Sequence, residues 1–287
     1  MTSLRPLGKS PENDRIQESF IKSILNINKK ITFSLTQFDD DQVEEYLKNN
    51  NIKCNFINFE KKNLPEGKKY SNKIMLENCI NQFIENNYNY FVYSTADILV
   101  PREIFSIIES KDYFISHSEF CALVYPNILS KNGKIKSVNT PHYGIDLFIF
   151  KINKESANKL KNAIKHWKQY DWGINDNFFV SVCELLKIPI FNIYKYAPIF
   201  KYENDFKTIN ENRKWQIDSW RENQVYFKEF LKKNNLSILY ATGSYHFLLY
   251  KIFRIKDMSF NLFIAYLKFY LNTPVLVFKK ILNFFKF

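Results

Sequence analysis

The chain has 287 residues, of which 46% are hydrophobic and 17% aromatic, enough for one large domain with a substantial core. Glycine (6) and proline (9) are scarce, which excludes collagen-like and low-complexity classes. The formal net charge is +12, but lysine is spread along the chain, and neither an RNA-binding sheet motif nor a recognition-helix pattern is present. We therefore expect no nucleic-acid partner.

The first half of the chain alternates predicted strands and helices. Strands are predicted at 2–7, 30–36, 53–59 and 90–97. Helices are predicted from Pro11, after a Ser10 cap, at 39–49 and from Lys73, after Asn72. This order predicts an α/β protein whose central sheet is mostly parallel and has helices on both faces.

The second half is mixed. Strands are predicted at 112–117, 120–125, 146–152 and 189–194, with a hairpin signal at Asn132-Gly133. Helices are predicted at 155–167, 174–186 and 213–233. The central sheet is therefore expected to be mostly parallel or mixed.

The cysteines predict a reducing compartment. Cys54, Cys79, Cys121 and Cys183 are far apart, lie in apolar stretches and show no C-x2-C metal spacing. Residues 1–6 contain no apolar run of the kind found in a signal peptide. We expect buried, reduced thiols and a cytoplasmic protein.

The last segment, 251–287, differs from the rest of the chain. It carries seven lysines or arginines, one acid and eight phenylalanines, and its longest uncharged runs are ten residues each. A membrane-spanning helix needs about 20 apolar residues. The composition favours a helical segment that lies on an anionic membrane surface; a helix pair that packs on the core is the alternative. We divide the chain into a domain at 1–235 and a membrane-association segment at 236–287.

The most informative motif is Ser94-Thr95-Ala96-Asp97, at the end of an apolar, aromatic strand. Open α/β sheets bind ligands at the carboxyl ends of their strands. A carboxylate there suits a Mg²⁺ or Mn²⁺ ion that neutralises a diphosphate. The alternative is that Asp97 is only a turn or cap residue.

The order of features along the chain is Asn72, a helix, the strand that ends at Asp97, and then Pro101. This order resembles that of the nucleotide-sugar-dependent glycosyltransferases of the GT-A fold, in particular those of family 2. In that family a strand ends in D-x-D or a shorter acidic motif, and a proline follows. Here Asp97 matches the acid, and Thr95 stands where the first acid usually is. The resemblance covers about residues 1–235 and implies a GT-A-like, Rossmann-type fold with a C-terminal helical appendage.

The resemblance also implies roles for individual residues. Donor and nucleotide binding would fall to Arg5, Pro6, Asp39, Asn72, Ser94, Asp97 and Lys201, with the metal at Asp97. The sugar and acceptor pocket would contain His142, Tyr143, Asp146 and Trp172. The general base would be Asp176, with Asp171 second. Helix capping or a solvated first turn is the alternative for Asp39, Asn72 and Asp176.

The expected activity is transfer of a sugar from a nucleotide-diphosphate donor to a hydroxyl of a glycan or lipid-linked acceptor, in surface polysaccharide or glycolipid synthesis. The enzyme would be peripheral at the inner face of the cell membrane. Two alternatives remain open. One is a sugar nucleotidyltransferase, which would normally show a glycine-rich loop where this chain has a single glycine, Gly8. The other is a non-catalytic GT-A-like module that binds membranes or glycans.

Overall fold

The computed structural model describes residues 11–29, 34–38, 43–49, 51, 55–59, 64–66, 68, 72–124, 126–129, 145–168, 170, 175–193, 196–202, 213–241 and 255–256. Several predicted features lie outside these residues: the strand at 2–7, the hairpin at 132–133, Arg5, Pro6, Asp39, His142, Tyr143, Asp171 and Trp172.

The described helices are α1 (Pro11–Leu25), α2 (Val43–Asn49), α3 (Asn72–Glu85), α4 (Ile104–Glu109), α5 (Asp112–Ile115), α6 (Lys154–Ile164), α7 (Asn175–Leu186) and α8 (Arg213–Lys233), followed by a 3-10 turn at Ile238–Ala241. The described strands are β1 (Ser34–Phe38), β2 (Asn55–Phe59), β3 (Phe91–Ser94), β4 (Ile98–Leu99), β5 (Phe120–Val124), β6 (Asn127–Leu129), β7 (Leu147–Lys151), β8 (Ile190–Asn192), β9 (Phe200–Tyr202) and β10 (Ile255–Lys256).

The largest sheet of the described residues has five strands in the order β10-β8-β5-β7-β3. β10, β8 and β5 are parallel, whereas β7 runs antiparallel to both β5 and β3. A parallel pair, β1-β2, and a three-stranded sheet, β4-β9-β6, complete the described strands. The fold is therefore α/β with mixed sheets, because β7 runs antiparallel between β5 and β3.

Helices cover both faces of the five-stranded sheet, as predicted. All five residues of β5 are buried, as expected for a central strand that is covered on both sides. One face packs against α3, α6, α7 and α8 through Cys121, Leu123, Phe148 and Phe150. The other face packs against α1 and α4 through Ala122, Val124, Leu147 and Ile149. The two-residue alternation of strand side chains thus divides the core into two layers.

One predicted element is wrong. The strand predicted at 112–117 is the single-turn helix α5, in which Ser116 N donates to the carbonyl oxygen of Asp112. The apolar run is too short for its period to distinguish a helix from a strand. Phe114 packs inward and Ile115 is 63% exposed. The second predicted strand is described from Ser34 and ends at Phe38, two residues beyond its predicted end, whereas the helix predicted at 39–49 is described from Val43 and ends at Asn49, as predicted.

Parts of the predicted C-terminal segment pack on the main fold. Tyr240 is fully buried, its carbonyl oxygen accepts from Asn177 Nδ2 at 2.8 Å, and its hydroxyl donates to Glu184. Farther along, β10 adds an edge strand beside β8. The domain boundary at residue 235 and the membrane association of 236–287 stay predictions.

Two further expectations bear on the compartment. Three of the cysteines are free thiols, of which Cys121 and Cys183 are buried; Cys54 lies outside the described residues. Within the described part of the chain, no helix has the length and apolar character needed to cross a membrane.

Candidate functional site

The site begins where the carboxyl end of β3 meets the amino end of β7. β3 and β7 are antiparallel, with Ser94 opposite Leu147. Just beyond this pair, Thr95 N donates to the carbonyl oxygen of Asp146 at 3.0 Å, and Thr95 Oγ1 donates to Asp146 Oδ1 at 3.3 Å. The antiparallel pairing therefore brings Asp146 beside the motif that ends in Asp97.

Lys201 reaches this point from β9. β4 follows Asp97 directly and pairs antiparallel with β9, so that Ile98 lies opposite Lys201. Lys201 Nζ is 2.9 Å from Asp146 Oδ1 and 3.2 Å from Asp97 Oδ2. Asp97, Lys201 and Asp146, which we call the charge triad, come from three separate parts of the chain and meet through strand pairing alone.

The charge triad is largely shielded from solvent. Lys201 and Asp146 are 9% and 5% exposed, and the Asp97 side chain is 22% exposed. Burial alone would lower the pKa of Lys201, but the charges of Asp146 and Asp97 and their hydrogen bonds outweigh it, so that the pKa is raised above its ordinary value. The ammonium is therefore charged at neutral pH, and the formal charge of the triad, counted from two acidic side chains and one lysine, is −1.

Asp176 lies next to the triad through a backbone contact. It is in the first turn of α7, where the helix dipole favours a negative charge. Its Oδ2 accepts a hydrogen bond from Ile145 N at 2.9 Å. Ile145 immediately precedes Asp146, so the start of α7 is fixed against the residue that joins the triad.

The two remaining predicted donor residues have different surroundings. Ser94 is buried, and its hydroxyl donates to the carbonyl oxygen of Thr95 at 2.8 Å, which stabilises the turn that carries Asp97. Asn72 is the first residue of α3, and α3 packs against α6 and β3. The structure therefore brings Ser94, Asp97, Asp146, Asp176 and Lys201 into one region.

Sequence reasoning missed a backbone clamp close to this region. Asn223, on α8, is 1% exposed; its Nδ2 donates to the carbonyl oxygen of Tyr170 at 2.8 Å, and its Oδ1 accepts from Tyr170 N at 3.1 Å. These two bonds tie the backbone of Tyr170, six residues before Asp176 in the sequence, to α8. An asparagine on the buried face of a long helix was the only signal, and it does not identify its partner.

The donor set of the charge triad fits a hard divalent cation. Asp97 and Asp146 already hold one cationic nitrogen between them. No group of three or more His, Cys, Asp or Glu side chains that could hold a metal is found among the described residues. Mg²⁺ often takes only one or two protein carboxylates and completes its shell with water and substrate phosphate. Asp97 and Asp146 are sufficient for that mode of binding.

A cavity of about 760 Å³ lies at the other end of α7. It is lined by residues that include Cys183, Glu184, Lys187 and Tyr240, and none of the predicted site residues is among its lining residues. At 1.5 Å per residue, a 12-residue helix is about 18 Å long. The cavity and the charge triad therefore lie toward opposite ends of α7.

Comparison with protein-family models and with curated protein sequences finds no match to this chain. The assignment of a function therefore depends on the charge triad and its surroundings.

Proposed function

We propose that the protein is a GT-A-like glycosyltransferase that moves a sugar from a nucleotide-diphosphate donor to a hydroxyl of a glycan or lipid-linked acceptor. The observation that carries the proposal is the charge triad, in which Lys201 bridges Asp97 and Asp146 beside the carboxyl end of β3. Ligands of open α/β sheets bind at this edge. There, a metal ion held by the two carboxylates, together with the Lys201 ammonium, would supply the positive charge that recognition of a diphosphate requires.

Asp97 and Asp146 would hold a Mg²⁺ or Mn²⁺ ion, which would neutralise the charge that develops on the diphosphate leaving group. The Lys201 ammonium, which already faces Asp146 and Asp97, would supply a further positive charge and a hydrogen-bond donor for phosphate oxygens. Thr95 and Ser94 keep the turn in place: Thr95 holds Asp146, and Ser94 holds the carbonyl of Thr95. The low exposure of the triad strengthens each electrostatic interaction.

Asp176 is the proposed general base. It accepts the proton of the acceptor hydroxyl as that oxygen attacks the anomeric carbon of the donor. Its hydrogen bond with Ile145 N supports this role, because the bond fixes the carboxylate next to the strand that carries Asp146. The base and the diphosphate site then belong to different elements, α7 and β3, as attack on the side of the sugar opposite the leaving group requires.

The acceptor side of the proposal comes from the composition of the C-terminal segment. Its lysines and phenylalanines suit an anionic membrane surface, where a lipid-linked acceptor is presented. We propose a peripheral protein at the cytoplasmic face of the membrane. Arg5, Pro6, Asp39, Asn72, His142, Tyr143, Trp172 and Asp171 complete the proposed donor and acceptor sites.

Thermal denaturation with a panel of nucleotides and nucleotide-sugars, with and without Mn²⁺, tests this function. A ligand at 100 times its Kd stabilises the folded state by about 2.7 kcal/mol, which raises Tm by several degrees. We expect one nucleoside diphosphate to do so in the presence of Mn²⁺ and the shift to disappear in Asp97→Asn. Asp218→Asn, at an exposed acid of α8, is the matched control and should behave as wild type.

No shift with any nucleotide would contradict the proposal and favour a non-catalytic binding module. Release of pyrophosphate from a nucleoside triphosphate would instead identify a nucleotidyltransferase.

A further inference from the structure

Lys201 lies where a metal ion would lie if Asp97 and Asp146 were its ligands. Its Nζ is within 3.2 Å of both carboxylates, and the residue is 9% exposed. We propose that the Lys201 ammonium and a divalent cation compete for this carboxylate pair, so that Lys201 sets the metal affinity of the site. The inference deepens the proposed function and rests on the metal ion proposed there, but it does not depend on the identity of the donor or acceptor.

The carboxylate pair is assembled from two strands. Asp146, just before β7, places its carboxylate beside Thr95, two residues before Asp97, where Thr95 Oγ1 donates to Asp146 Oδ1 at 3.3 Å. Both acids are fixed through their main chains, because Thr95 N donates to the Asp146 carbonyl and Tyr202 N donates to the Asp97 carbonyl. The two carboxylates therefore converge on one position whether a nitrogen or a metal ion occupies it.

The two cations exclude each other for electrostatic reasons. The Lys201 nitrogen lies 2.9 and 3.2 Å from the two carboxylates in a shielded site, so that a divalent ion held by the same carboxylates would be only a few ångströms from a positive charge and would be repelled by it. Entry of the metal therefore displaces the ammonium from the carboxylates. The displaced ammonium can then donate hydrogen bonds to phosphate oxygens. Binding of the metal ion thus also frees the Lys201 ammonium to bind the diphosphate.

Titration with Mn²⁺, followed by electron paramagnetic resonance of the free ion, tests the competition. We expect Lys201→Met to bind Mn²⁺ at least tenfold more tightly than wild type. The matched control is the double variant Lys201→Met/Asp146→Asn, whose remaining Asp97 gives the same net charge of −1 as the wild-type triad. The double variant lacks the carboxylate pair and should lose the gain in affinity.

Lys201→Gln keeps a hydrogen-bond donor for the two acids without the charge, and it serves if Lys201→Met does not fold. Equal or weaker Mn²⁺ binding in the lysine variant that folds would overturn the proposal, as would equally tight binding by the double variant. A second readout is Tm, because Mn²⁺ should stabilise the lysine variant more than it stabilises wild type.

The test also separates this inference from the proposed function. Tighter Mn²⁺ binding by the lysine variant, with no nucleotide shift in wild type, would support the competition and contradict the glycosyltransferase. If a nucleotide raised the Tm of wild type but Lys201→Met bound Mn²⁺ no more tightly than wild type, the glycosyltransferase would be supported and the competition contradicted.

Discussion

Asp176 accepts a hydrogen bond that stabilises the fold, and we propose that it is also the general base. Two substitutions, Asp176→Ala and Asp176→Asn, separate the structural role from the catalytic role. Its Oδ2 accepts from Ile145 N at 2.9 Å. Asp176→Ala removes this acceptor and should cost about 1–3 kcal/mol for the unsatisfied amide, together with about 0.3–1 kcal/mol for the lost charge at the start of α7. Asp176→Asn keeps an oxygen for Ile145 N and should lose only about 0.3–1 kcal/mol.

Catalysis should respond in a different pattern. Asn cannot accept a proton at neutral pH, so Asp176→Asn should lower kcat by about 10²–10⁴-fold if Asp176 is the base, with little change in donor affinity. Urea denaturation gives the stability of both variants, and single-turnover transfer from the donor identified by thermal shift gives the rate. Asp112→Asn, an exposed first-turn acid in α5, is the control. A kcat within about threefold of wild type in Asp176→Asn would refute the base and leave Asp176 as a positioning residue; the general-base contribution it would otherwise supply is far larger.

Two further predictions concern other parts of the chain. Deleting 257–287, which spares β10, should move the protein from the membrane fraction to the soluble fraction in a flotation assay; continued membrane binding would contradict the anchor. Asn223→Ala should cost about 2–4 kcal/mol in urea denaturation, because Tyr170 N and O both lose their partner. Asn234→Ala, at the end of the same helix, removes one bond to the Phe230 carbonyl and should cost less than about 1.5 kcal/mol. Equal losses of unfolding free energy in Asn223→Ala and Asn234→Ala would show that the two hydrogen bonds to Tyr170 contribute no extra stability.

Local patterns predicted most of the described elements. The Ser10-Pro11 signal correctly gives the start of α1 at Pro11, and the spacing of Leu76, Ile80 and Phe83 correctly gives a buried helix face. The apolar run before Ser94 is strand β3, and Asp97 follows it in the turn to β4. These features depend on caps and periodicity within a short window, and that information is present in the sequence itself.

Local sequence patterns do not predict which strands pair or in which register. Lys201 and Asp97 are far apart along the chain, and their contact depends on the register between β4 and β9, which are two and three residues long. Strands this short carry almost no periodic signal. Lys201 was therefore predicted as a phosphate-binding residue from its charge and its place along the chain, without its carboxylate partners. The resemblance places Asp146 in the sugar pocket, which stays a prediction, and the structure adds its contacts with Lys201 and Thr95.

The direction of β7 explains why the Asp146 carboxylate lies beside the Asp97 carboxylate. The amino end of a parallel neighbour would lie at the opposite edge of the sheet from the carboxyl end of β3, so a residue just before it would be a full strand length away. β7 is antiparallel, and Asp146, which precedes it, therefore lies at the same edge as Thr95 and Asp97. Thr95 can donate its hydroxyl hydrogen to Asp146 Oδ1, whereas an acid at that position would repel it. A threonine there is thus physically coupled to an antiparallel β7: the neighbouring strand contributes the second carboxylate, and the hydroxyl helps to hold it.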